Sequence, residues 1–222
     1  MNDTSIRALI ALNIALACSP LASAANPATT PPEARAAAQL GLYDWINEYI
    51  KDGVQPQQDF VLKVDTLEQL KSARVGRGLA MKIVDSGALI AGNSLRQAAH
   101  PNGEWRFLIM VDEHAVGLAD VRSVAGKYQI VGLGGKALAQ NIEKTLAPYP
   151  DRAANLVRSH QARADYMELA ADHAGHVHYA PLQAADIGTP VARTAGDAHL
   201  IEEDALATAL RGAIARDTGS ED

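Results

Sequence analysis

Three histidines in the carboxyl-terminal part of the chain, His173, His176 and His178, are its main concentration of side chains that can bind a transition metal. In a strand, His176 and His178 would face the same side, because residues two apart share a face. Neutral imidazole nitrogens are good ligands for Zn²⁺ and Cu²⁺, and His173 in the preceding turn could complete a set of three. A metal-binding protein is therefore one hypothesis, and a solvent-facing histidine pair on a hairpin is its alternative.

A second polar group, Arg158, Arg163 and Tyr166, lies shortly before these histidines. Two guanidinium groups and a phenol could line a pocket for an anionic ligand, which makes these three the candidate ligand-binding residues. If the segment instead forms two neighbouring strands, the arginines would make cross-strand polar pairs with Asp165. The sequence leaves both interpretations open.

The segment Gly132–Ala137 fits the pattern G-x-G-x-x-[GA] that holds a dinucleotide pyrophosphate. That pattern works in a βαβ unit of a parallel sheet, with an acidic residue after the next strand to bind the ribose. Here the preceding strand is predicted to end an antiparallel series, and no such acidic residue follows. A sharp strand-to-helix turn is the preferred interpretation, and a nucleotide-dependent enzyme is a less favoured hypothesis.

The sequence contains no signature of a hydrolytic nucleophile. Its serines lie outside the G-x-S-x-G pattern, and its single cysteine, Cys18, falls in a predicted signal peptide. The run Asp112-Glu113-His114 is predicted to be a solvated hairpin turn and not an acid–base pair. We therefore predict no catalytic residues and no required cofactor, with Zn²⁺ or Cu²⁺ as the exception if the histidine hypothesis holds.

The elements that would position these groups centre on residues 105–132. Apolar residues from Trp105 to Val111, from Val116 to Val124 and from Lys127 to Val131 are separated by connections too short for anything but antiparallel neighbours. This pattern predicts a three-strand meander. Leu138, Ile142 and Leu146 then recur at a spacing of four, which predicts a helix over 136–146.

The remaining periodicity predicts helices on one side of the sheet. Thr30 with Glu33 and Thr66 with Gln69 resemble capping boxes, which would open a helix over about 33–51 and a short one to about Arg74. Alternation predicts strands at 60–64 and 79–84, and a last helix is centred on 206–214. Residues 153–171 fit the period of a helix or that of strands; strands are preferred, forming a C-terminal hairpin with a turn at 172–175 that leads into a strand at 176–180. The expected fold class is α+β, a mainly antiparallel sheet packed against the amino-terminal helix and the helix at 136–146.

The amino terminus predicts export. Arg7 precedes a run of about ten apolar residues, too short to span a bilayer, and Ala22-Ser23-Ala24 forms a small-residue cleavage pattern. Cleavage near Ala24 would place the protein in the periplasm or outside the cell, whereas acylation of Cys18 would make it a lipoprotein. We divide the chain into a signal peptide (1–24), a flexible leader (25–32), a single α+β domain (33–181), and a loop with a carboxyl-terminal helix and polar tail (182–222).

Charge and composition narrow the choice of partners. The formal net charge is −6, and the predicted signal carries one acid and one base, so cleavage leaves it unchanged. A mildly acidic surface without a basic patch argues against nucleic acid, and no apolar segment is long enough to cross a membrane. The sequence favours an exported, non-catalytic binding or sensor-like module for a small molecule or a protein, and it does not identify that ligand or partner.

Overall fold

A computed structural model of the chain describes residues 29–172, 174–182 and 200–218. The predicted signal peptide, Cys18 and His173 lie outside these residues. Eight strands and six helices are described, in the order α1 (Pro32–Lys51), α2 (Leu67–Lys71), β1 (Arg74–Val84), α3 (Ser86–Ile90), α4 (Leu95–Ala98), β2 (Ala99–Val111), β3 (His114–Val124), β4 (Lys127–Gly134), α5 (Lys136–Leu146), β5 (Ala154–Ser159), β6 (Ala164–Leu169), β7 (His178–Pro181), β8 (Ile201–Glu202) and α6 (Glu203–Thr218).

The eight strands form one sheet in the order β4-β3-β2-β1-β5-β6-β7-β8. Every neighbouring pair is antiparallel except β1 and β5, which run parallel in the middle of the sheet. The predicted α+β class with a mostly antiparallel sheet is confirmed, and the parallel pair makes the sheet mixed. Residues 85–153, which include β2, β3, β4 and α5, provide the long connection that a parallel pair requires.

Helices cover both faces of the sheet, so the expectation of helices on one side is wrong. On β3, Ala119 and Val121 pack in a cluster with α1, whereas the neighbouring Leu118 packs in another with α5. Neighbouring strand residues face opposite ways, so each of these apolar residues buries itself on its own side. We call the two sides the α1 face and the α5 face.

The last helix, α6, also covers the α1 face, at the far end of the sheet from α1. Its buried Leu206, Leu210 and Ile214 pack in a cluster with Val157 of β5. Val157 shares its face with Asn155, which pairs with Ala80 in the α1 cluster. The α1 face therefore carries two apolar clusters, one beneath each long helix.

Two of the local predictions are confirmed only in part, and one is wrong. Thr66 caps α2 by accepting a hydrogen bond from the Gln69 N–H at 3.2 Å. Thr30 does not cap α1, because its hydroxyl donates to the Gly78 carbonyl at 3.5 Å, although the helix begins where expected. Residues 60–64 do not form a strand, and their one bond to the sheet runs from the Lys63 N–H to the Val116 carbonyl at 2.8 Å.

Among the described helices, none combines the length and the apolar composition that crossing a bilayer would need.

Candidate functional site

A cavity of about 440 Å³ opens where the β2–β3 turn, α5 and the segment before β1 meet, and we call it the meander cavity. Small-molecule sites in proteins commonly measure about 300–1,000 Å³, so its volume suits a small ligand. The cavity is lined by Lys63, Gln69, Val111, Asp112, His114, Ala115, Val116, Gln140, Glu143 and Lys144.

The β2–β3 turn forms one wall of this cavity. Its central residues, Asp112 and Glu113, have φ values of 47° and 65°, the positive φ that the common two-residue hairpin turn requires at both positions. Aspartate tolerates this conformation better than most residues, and Glu113 forms an ion pair with Arg74 on β1. The sequence places Asp112 and His114 at this turn correctly, but it does not show that they border a cavity.

The segment before β1 forms a second wall because Gly117 lets it approach β3 closely. A side chain at position 117 would collide with Leu62, which is itself 1% exposed. With Leu62 buried, the next residue, Lys63, points its side chain away from the core and toward the cavity. Gln69 reaches the same space from the short helix α2.

Charges of both signs surround an apolar floor in the meander cavity. Val111, Ala115 and Val116 supply the buried floor. In the part of the chain that the structure describes, the side-chain ammonium groups of Lys63 and Lys144 have no hydrogen-bonded or ionic partner. Such cations are free to bind a ligand anion without first breaking an internal contact.

Carboxylates complete the rim of the cavity. Asp112 has no ion-pair partner among the described residues, and Glu143 on α5 lies 3.4 Å from the His114 ring through its Oε1 and Nδ1. The His114 side chain is 81% exposed, so this pair is open to water. The rim therefore offers cationic and anionic groups together.

The glycine turn before α5 contributes to packing around this site. Gly135 has a φ of 67° and precedes the helix, as the sharp strand-to-helix turn requires. The Lys136 ammonium donates to the carbonyls of Gln58 and Phe60 at 3.0 and 3.2 Å. The strand before this turn, β4, is an antiparallel strand at the sheet edge, which is not the βαβ context of a dinucleotide site.

The three predicted ligand-binding residues do not face one space. Arg158 donates two hydrogen bonds to Asp165 at 2.7 and 2.8 Å across β5 and β6. Arg163 is exposed in the turn between these strands, with a φ of 48°. Tyr166 pairs with Val157 and therefore lies on the opposite face from Arg158; it is fully buried, and none of the described residues bonds to its hydroxyl.

The described members of the histidine cluster lie beside a smaller cavity of about 270 Å³, which His176 and Glu202 help to line. The ring centroids of His176 and His178 are 6.4 Å apart. Hydrogen bonds from the backbone N–H of His176 and of Ala174 hold the pKa of Asp172 below its usual value, so its side chain is a carboxylate at neutral pH. Within the described residues, no three side chains of metal-binding type converge closely enough to hold an ion as they stand.

The sequence did not reveal a buried polar cluster on the α1 face. The Lys82 ammonium donates to Glu168 Oε2 at 2.6 Å, and the Asn155 amide donates to the same oxygen at 2.7 Å. The Tyr179 hydroxyl donates to Glu168 Oε1 at 3.4 Å, and burial raises the pKa of Tyr179, with the Glu168 charge adding to the effect. These residues come from four strands, and no local pattern in the sequence joins them.

We compared the chain with models of protein families, with curated proteins and with solved structures, and none of the three comparisons found a match.

Proposed function

We propose that this protein is an exported, non-catalytic binding module that holds a small molecule in the meander cavity. The observation that carries the proposal is a 440 Å³ cavity in which unpaired charges of both signs surround an apolar floor. A few convergent polar groups over apolar surface are what orient a small ligand in most binding sites.

The lining of the cavity suits a zwitterion with an apolar body. The Lys63 and Lys144 ammonium groups would bind a carboxylate, and Asp112 would bind an ammonium group. Val111, Ala115 and Val116 would contact an aliphatic or aromatic side chain. Apolar amino acids are the simplest molecules with all three features.

Two features favour binding over catalysis. The ionisable pair at the rim, His114 and Glu143, is open to solvent, whereas acid–base catalysis usually exploits a site from which water is excluded. The sequence also lacks a thiol outside the predicted signal and lacks a recognisable nucleophile motif.

The proposal keeps the predicted arrangement of a three-strand meander over 105–132 with a C-terminal hairpin, packed against the amino-terminal helix and the helix at 136–146.

It also keeps periplasmic or secreted localisation after cleavage near Ala24. Expression of the full chain in a Gram-negative host, with mass analysis of the periplasmic fraction, tests export. We expect a product that begins at Ala25, and retention of the intact chain in the cytoplasm would contradict it.

Binding is tested by isothermal titration calorimetry of the purified protein with leucine and with phenylalanine. Leucine amide, which lacks the carboxylate, and 4-methylpentanoic acid, which lacks the amine, are the matched ligand controls. We expect each control to bind at least tenfold more weakly than leucine, because each leaves one set of cavity charges unpaired.

Variants then locate the bound amino acid. Lys63→Glu and Lys144→Glu should each weaken binding at least tenfold, while Lys127→Glu, at the exposed start of β4, should not change it. The absence of binding by either amino acid would reject the zwitterion as ligand. Turnover of any member of a broad substrate panel by the purified protein would reject the non-catalytic function.

A further inference from the structure

A carboxylate on the neighbouring strand lies beside the His178 ring. Glu202 pairs with His178 across β7 and β8, and its Oε1 lies 3.0 Å from the imidazole Nε2. We assign the hydrogen of the imidazole to Nε2, because a carboxylate oxygen accepts hydrogen bonds and repels the lone pair of a ring nitrogen. This assignment leaves the lone pair of His178 on Nδ1.

That Nδ1 atom is buried and has no hydrogen-bond partner within residues 29–172, 174–182 and 200–218. The Oδ2 atom of the Asp172 carboxylate lies 3.9 Å from this Nδ1 atom. When Nδ1 carries no hydrogen, two acceptors face each other, and none of the described residues donates to either of these two atoms. A bridging water could donate one hydrogen to each acceptor, and a metal cation could bond to both of them.

Asp172 is held in position for the second of these. Its Oδ1 accepts hydrogen bonds from the backbone N–H groups of Ala174 and His176, at 2.9 and 3.1 Å. These bonds close the turn that leads into β7 and leave Oδ2 directed at His178. A metal ion could therefore bind His178 Nδ1 and Asp172 Oδ2 without breaking the contacts that these two side chains already make through their other polar atoms.

We propose that a divalent transition cation of the Zn²⁺ class binds between His178 Nδ1 and Asp172 Oδ2, with His176 as a third ligand. Zinc bonds to nitrogen and oxygen of about 2.0–2.1 Å place two tetrahedral ligand atoms roughly 3.4 Å apart, so the gap of 3.9 Å must close by about half an ångström. The His176 ring must also approach His178, because two imidazoles on one zinc have centroids roughly 5 Å apart, against 6.4 Å here.

Glu202 would act as the outer carboxylate of this site and not as a ligand. Metal-binding histidines usually donate their second ring N–H to a carboxylate or a carbonyl, which fixes the tautomer and raises the basicity of the ligating nitrogen. The Glu202–His178 contact already provides this arrangement. The site is separate from the meander cavity, so it can exist whether or not that cavity binds an amino acid.

The test is isothermal titration calorimetry of ZnCl₂ into untagged protein at neutral pH, with thermal unfolding followed in parallel. We expect one zinc ion per chain and a rise in melting temperature on addition of zinc. Asp172→Asn retains the turn-closing acceptor and His178→Ala removes the central ligand, and each should weaken binding at least tenfold. His176→Ala should weaken binding less, because that ring lies farther from the ion.

Glu202→Gln distinguishes the proposed site from an adventitious surface site, whose zinc affinity this substitution would not change. It should lower zinc affinity about 10- to 100-fold, because the amide can leave the imidazole in the wrong tautomer. His160→Ala, at an exposed histidine in the β5–β6 turn, is the control and should bind as the parent does. No zinc binding, or binding that survives both Asp172→Asn and His178→Ala, would overturn the proposal.

Discussion

The most buried ion pair among the described residues lies on the α1 face of the sheet, and the ion pairs on the α5 face are more open to water. On the α1 face, the side chains of Lys82 and Glu168 are 11% and 6% exposed. On the α5 face, the Arg158–Asp165 pair is 33% and 13% exposed, and in the Arg122–Glu104 pair the arginine is 55% exposed. The comparison shows that direct ion pairs can have different structural roles, because the exposure of each pair to water determines how much it contributes to the free energy of unfolding.

The buried pair lies where the two parts of the sheet join. Lys82 is on β1 and pairs with Val157 on β5, the parallel neighbour, while Glu168 is on β6. Removing two charges from water costs several kcal/mol for each ion, and the contacts from Asn155 and Tyr179 to Glu168 help to offset that cost. The Arg122 guanidinium, which is 55% exposed, keeps much of its hydration, so forming or losing its pair with Glu104 changes the free energy of unfolding little.

The largest expected effect is that of removing one member of the buried pair. Glu168→Ala should lower the free energy of unfolding by about 3–5 kcal/mol, because it leaves the Lys82 charge without its partner. Urea denaturation followed by circular dichroism measures the change. A loss below about 1 kcal/mol would show that water reaches the pair and would remove the contrast between the faces.

The double variant Lys82→Met, Glu168→Leu distinguishes two effects: the loss of attraction between the two side chains, and the cost of leaving one buried charge without a partner. It removes both charges and keeps the volume similar, so it should be more stable than Glu168→Ala. In a double-mutant cycle with Lys82→Met and Glu168→Leu as the single variants, we expect a coupling energy of about 0.5–3 kcal/mol. Additive effects would contradict a direct interaction between the two side chains.

The two buried tyrosines give a matched pair of smaller effects. Tyr179 and Tyr166 are both 0% exposed, but only the hydroxyl of Tyr179 has a hydrogen-bond partner. Tyr179→Phe should cost about 1 kcal/mol or somewhat more, because its partner is charged. Tyr166→Phe should be neutral or stabilising, because it removes a buried polar group that has nothing to bond. Equal losses for the two variants in chemical denaturation would contradict the hydrogen bonding described here.

The smallest effects should come from the α5 face. Arg122→Ala should change the free energy of unfolding by less than about 1 kcal/mol, and this effect should shrink toward zero in 1 M salt. Denaturation at low and high salt measures both. A loss comparable to that of Glu168→Ala would mean that water does not reach the ion pairs on the α5 face.

The sequence predicted the parts of this structure that depend on near neighbours. Thr66 and Gln69 marked the start of α2 because a capping contact spans only three residues. Strand alternation marked the mostly antiparallel sheet, since side chains two residues apart share a face. The same rule failed at 60–64, where alternation is present but the segment is irregular; it contacts β3 through Leu62 at Gly117 and through the hydrogen bond from the Lys63 N–H to the Val116 carbonyl.

The sequence by itself determined the α+β class, the polar β2–β3 turn, and the absence of a recognisable nucleophile motif, because each depends on residue types at short spacing. Tertiary structure alone decided the parallel pairing of β1 with β5, the Lys82–Glu168 contact across 86 residues, and the meeting of Lys63 with α5 around a cavity. Those contacts depend on which strand lies beside which. Strand order is chosen by burial of apolar area over the whole chain, and no local pattern of residues records that choice.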